Sequence, residues 1–95
     1  MQSTVDIGTL IERSPEIREG RPCIAGTGVS VMRIAGWSNL GLLPEEIAAK
    51  IEHLTLAQIH AALAYYHANR EEIDDDIAAE EAAIEELFPA VAKSA

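Results

Sequence analysis

Three histidines, His53, His60 and His67, recur at seven-residue spacing, and metal ligation is the first chemistry such a row suggests. On one helix His60 and His67 lie about 10.5 Å apart along the axis, whereas zinc holds its nitrogens at about 2 Å and takes helical pairs three or four residues apart. One ion cannot take both from the same helix, so surface or half-buried histidines are expected. Gly26-Thr27-Gly28 begins like a nucleotide-binding loop, but the third glycine position holds Val31, and no Gly-Lys-Ser/Thr phosphate loop occurs. These glycines read as turn residues. Cys23 has no histidine near it in the chain and reads as a small buried hydrophobe. Asp74-Asp75-Asp76 lacks the glycine and alternating oxygens of a calcium loop, and no glycine-flanked serine nucleophile is present. No catalytic, metal or cofactor constellation emerges. The residues point to a binding protein rather than an enzyme.

Composition narrows what is bound. A chain of 95 residues makes one domain, and 48% hydrophobic with 24% charged residues is the balance of a soluble globular protein. Its core is modest, because a chain this short buries only roughly 60–65% of its unfolded surface, and dimerisation is the expected supplement. A net charge of −9 excludes a generally basic nucleic-acid coat or an anionic-membrane binder. The charge is uneven: residues 1–60 hold seven acids and five bases, whereas residues 61–95 hold nine acids against Arg70 and Lys93 alone. A single cysteine makes no internal disulfide. With no signal segment and no apolar run of about 18 residues, a cytoplasmic location away from membranes is expected.

The elements that must position these residues change character along the chain. β-Branched residues between Ser14-Pro15-Glu16, Gly20-Arg21-Pro22 and Gly26-Thr27-Gly28 predict a small antiparallel hairpin or meander. Ser30 is a plausible N-cap for a helix carrying Val31, Ile34 and Trp37 and ending at Gly41. Pro44-Glu45-Glu46 starts a helix over 44–52 with a Leu43/Ile47/Ile51 stripe. Thr55-Leu56-Ala57-Gln58 is a capping box opening a helix over 55–68 that buries Leu56, Ile59, Leu63 and Tyr66. Asn69-Arg70-Glu71-Glu72 is a second such box, and the helix 70–88 it begins carries Ile73, Ile77, Ile84, Leu87 and Phe88 against seven acids between Asp74 and Glu86. Pro89 ends it, and residues 90–95 read as frayed.

The pair 44–52 and 55–68 has helix-turn-helix proportions, with Arg33, Lys50, Gln58 and His60 as DNA-facing candidates. Gln58 has the chemistry for a bidentate contact to adenine. No Arg or Lys lies between Lys50 and Arg70, however, and cations supply most phosphate affinity. Operator DNA is therefore expected to bind weakly to the chain alone. Tyr65 falls about 100° around the helix from the core-facing Tyr66, near the rim, where an interface position is open to it.

Gly20-Arg21-Pro22-Cys23-Ile24-Ala25-Gly26-Thr27, then Pro44-Glu45-Glu46-Ile47, then Leu54-Thr55-Leu56-Ala57-Gln58-Ile59 with Ala61-Ala62-Leu63-Ala64-Tyr65-Tyr66, carry a resemblance. Over about residues 5–77 the chain resembles the bacterial domain-of-unknown-function family four hundred and thirty-three, which includes VapB-like antitoxins. The resemblance implies a small β element followed by a homeodomain-like or winged helical bundle, often dimeric, acting beside a PIN-like ribonuclease toxin. The chain departs from the family pattern at Gly28-Val29-Ser30, where arginine, a branched residue and proline are usual, and at Leu43, where serine is frequent.

The expected fold is mainly α: a β-hairpin and helix-turn-helix bundle over 1–69, then an acidic amphipathic helix and tail over 70–95. The expected function is that of a non-catalytic antitoxin-like protein. It would neutralise a PIN-like ribonuclease toxin through Tyr65, Ile73, Ile77, Ile84, Leu87 and Phe88. The alternative is a stand-alone helix-turn-helix transcriptional regulator.

Overall fold

Local backbone chemistry sets where each element starts. The computed structural model describes residues 4–16, 20–51 and 53–87. Phe88, Pro89 and the tail expected to fray lie outside the described residues, as does Glu52. A short 3-10 turn, Ile7–Thr9, leads into strand β1, Ile11–Glu12. β1 pairs antiparallel with β2, Cys23–Ile24, placing Ile11 opposite Ile24 and Glu12 opposite Cys23. Gly26 and Gly28 then adopt φ of 76° and 73°, a region that costs glycine nothing. This turn brings Ile24 N–H to Val29 O at 2.8 Å and bridges Cys23 to Ser30.

Four helices follow: α1 Val31–Asn39, α2 Pro44–Lys50, α3 Leu56–Ala68 and α4 Arg70–Leu87. Ser30 Oγ accepts from Arg33 N–H at 3.2 Å and so caps α1. Pro44 occupies the first turn of α2, where its missing donor has no partner to lose. Glu46 Oε1 accepts from Leu43 N–H at 2.8 Å, but Leu43 has no side-chain oxygen to return the bond. Only half a capping box forms there. At α3 the box is complete, with Thr55 N–H to Gln58 Oε1 at 2.7 Å and Gln58 N–H to Thr55 Oγ1 at 3.1 Å.

One hydrophobic core joins β2, all four helices and the α2–α3 turn. Ile24, Val31, Ile34, Ile47, Ile59 and Ile73 are its fully buried branched side chains. Two expected core positions lie outside it, since Leu43 is 60% and Leu56 44% exposed. Leu43 precedes α2 with extended backbone, so the helical period does not govern its direction. On α3 the buried line runs through Ile59, Ala62 and Tyr66, which leaves Leu63 at its edge and Leu56 off it.

The break at Asn69 falls where expected, but its chemistry is reversed. Asn69 closes α3: its N–H donates to Tyr65 O at 3.0 Å, and so does its Nδ2. Its side chain therefore turns back on α3 rather than capping α4. The start of α4 is then packed chiefly against α1, and Ile73 enters the shared core. Ile73 thus ties the start of α4 into the packed body.

Candidate functional site

The fold's least covered element is α4, and its two halves are held differently. Arginines from the N-terminal segment clasp the first half. Arg13 pairs with Glu72 and donates to Tyr65 OH at 2.8 Å and to Gly20 O at 3.2 Å. Its hydrogen bond to Glu72, and then that to Tyr65, push the guanidinium pKa above the ordinary arginine value. Arg21 reaches Asp76 at 3.7 Å and Glu80 at 3.6 Å. From α3, Tyr66 OH donates to Asp74 Oδ1 at 2.8 Å. Beyond Ile77, every residue of α4 from 78 to 87 is exposed.

The row expected to face a partner is divided accordingly. Ile73 is completely buried in this chain's own core, so it belongs to the body and not to a free face. Ile77 is half-buried and packs at the core's edge. Ile84 and Leu87 are 44% and 72% exposed. Phe88 lies outside the described residues. Tyr65 is only partly buried, and its hydroxyl donates to Glu72 at 3.1 Å while accepting from Arg13. It acts here as an internal tie.

The DNA-facing candidates are spread over three helices. Arg33 lies on α1 with its guanidinium 4.9 Å from the Trp37 ring centroid, a cation–π contact. Lys50 ends α2 and is exposed, as is His60 on α3. Gln58 has its Oε1 engaged in capping, which fixes the amide away from free bidentate use. Gly28 has a backbone that side-chain-bearing residues rarely adopt.

Sequence reasoning missed a groove between α1 and α4. Met32, Arg33, Gly36, Trp37 and Leu40 from α1 and its C-cap line it with Ile77, Glu80 and Glu81 from α4, enclosing about 520 Å³. Its floor is apolar and its α4 wall acidic. Trp37 and Leu40 recur at helical spacing, but only the packing of α4 against α1 turns them into a groove. The expected row shares one member with it, Ile77. Lys50, Gln58 and His60 do not line it.

The three histidines are all exposed, and His67 lies tilted against Tyr66 with ring centroids 5.3 Å apart. Among the described residues no three His, Cys, Asp or Glu side chains gather as metal ligands. No helix among them is long and apolar enough to cross a membrane.

A two-strand ladder, a capped helix-turn-helix pair and a long half-covered acidic helix define a small, mainly helical chain with an open groove at one seam. Residues 11–66 match the family described as "Protein of unknown function (DUF433)", and the chain belongs to that family. It is similar to the crystal structure of a DUF433 member protein from Anabaena variabilis, with 30% sequence identity and a TM-score of 0.70. That likeness covers 74% of this chain and 69% of the other. None of the curated proteins compared with it matches.

Proposed function

We propose that the chain is a non-catalytic, antitoxin-like regulatory protein that neutralises a PIN-like ribonuclease toxin, with the outer half of α4 as its contact arm. The observation that carries this reading is the pairing of exposed Ile84 and Leu87 with Glu81, Glu85 and Glu86 on a stretch that none of the described residues covers. Apolar anchors supply contact area, and carboxylates match the cations or metal ions with which a nuclease holds phosphate. Helix electrostatics favour the same partner. The last turn of α4 contains no basic residue, so acids crowd the negative end of the helix dipole, and a cationic surface laid there would offset the penalty. Dimerisation of the packed body is compatible with this arm and is part of the proposal.

The test is purification of the tagged full chain from cells that encode it. A co-purifying basic nuclease, inhibited by the wild-type chain and released by the double substitution Ile84→Asp/Leu87→Asp, is the expected result. Operator DNA as the sole partner would overturn it in favour of a stand-alone regulator.

A further inference from the structure

We infer that the α1/α4 groove is a docking seat for a partner segment made of an apolar anchor flanked by lysine or arginine. The proposal rests on the reading of this chain as a protein-binding module, but not on the partner's being a nuclease.

The groove has the size and lining of a recognition site. At about 520 Å³ it falls within the range of roughly 300–1,000 Å³ typical of binding clefts. Trp37 and Ile77 are half-buried and form its floor, while Leu40 stands 78% exposed at its mouth. A half-buried indole ring is the kind of anchor that dominates binding energies, and the neighbouring leucine adds apolar area. Arg33 also lines the groove, its charge held over the Trp37 ring at 4.9 Å from the centroid.

Charge selects the occupant. Glu80 and Glu81 form the α4 wall. Arg21 reaches Glu80 at 3.6 Å but is shared with Asp76, and no cation among the described residues pairs with Glu81. The wall continues into Glu85, one turn further, and the whole chain carries −9. A second copy of this chain would bring the same negative charge to the same place, whereas a basic segment is drawn in and held. Apolar burial on the α1 side with a cation on the α4 side also fixes the direction in which the segment lies.

The chain has a single tryptophan, so Trp37 emission reports the groove directly. The full-length protein is titrated with a tryptophan-free helical peptide of leucine and lysine, and in parallel with its leucine–glutamate counterpart. The expected result is a saturable Trp37 change with the lysine peptide only, weakened by high salt. Leu40→Ser should weaken binding by at least about fivefold, as loss of an anchor contact does, and Glu81→Gln by about two- to threefold. Leu43→Ser, which removes an exposed leucine outside the groove, should leave it unchanged. Leu40 and Glu81 are exposed, and unchanged thermal melting of their variants verifies the fold. Equal binding of both peptides, or full affinity in Leu40→Ser, would overturn the proposal. So would a Trp37 shift on dilution without peptide, which assigns the groove to a second copy. Because the ligand is synthetic, capture of no nuclease from cells ends the proposed function without touching this measurement. Nuclease capture that survives Leu40→Ser, with no peptide binding, ends the groove alone.

Discussion

Residues 70–77 and 78–87 of α4 are one helix with similar acidity, yet the structure treats them differently. In the first stretch Glu72, Asp74 and Asp76 each meet a partner, and Ile73 is sealed in the core. In the second, Glu80 alone shares Arg21 with Asp76, and Ile84 and Leu87 stand in water beside Glu85 and Glu86. Helix period and composition do not separate them; length does. α1, the main neighbour of α4, has nine residues and spans about 13.5 Å, while the 18 residues of α4 span about 27 Å. A helix twice as long as the one it packs on must leave about half its apolar row uncovered. Helices shorter than about 12–15 residues are marginal alone, so the outer half depends on the clasped half for its order.

The comparison breaks most readily at its apolar row. Ile73→Asp places an unpaired charge in the core and should cost about 3–5 kcal/mol, lowering Tm by more than about 10 °C. Ile84→Asp should stay within about 0.5 kcal/mol of wild type, as exposed substitutions do. Equal loss in the two variants, read by urea titration, would mean that the halves are not different. Ile77→Ala sharpens the boundary. A fully buried isoleucine loses about 2–5 kcal/mol on truncation to alanine, and half-buried Ile77 should fall near or below the bottom of that range. A chain ended at Asn69 should lose far more than one ended after Glu81, because only the former removes Ile73.

The electrostatic clasp is the smallest effect. Arg13 and Glu72 are substantially exposed, so Arg13→Gln should cost less than about 1 kcal/mol and the difference should fade at high salt. The sign with pH follows from the raised guanidinium pKa. Its contribution is complete below arginine's ordinary value and is lost only as pH rises through the higher one. The Arg13→Gln difference attributable to the guanidinium should therefore be flat across about pH 6–9. A slope there would place the titrating group elsewhere.

What could be read beforehand was what neighbours in the chain decide. Ser30, Pro44 and the Thr55/Gln58 box act on backbone groups within four residues, and the helices begin where these residues put them. Asn69 shows the limit of such reasoning, because its amide serves the helix behind it as readily as the one ahead. The glycine turn was legible for the same local reason. The groove was not, since Trp37 and Ile77 lie forty residues apart in the chain and only packing joins them. Nor does a row of isoleucines announce which of its members meets its own core. Spacing alone groups Ile73 with Ile84, although the two have opposite surroundings.

Cys23 offers a different use of the β-ladder. It is 3% exposed in β2, donates from Sγ to Arg21 O at 3.4 Å, and is the chain's single thiol. A thiol reagent can reach it only when that ladder opens, and reaction requires the thiolate. The labelling rate, divided by that of an unhindered cysteine at the same pH, therefore reads out the opening equilibrium of one corner of the molecule. The chain carries its own stopwatch for local opening, at the seam where the N-terminal segment joins the helices.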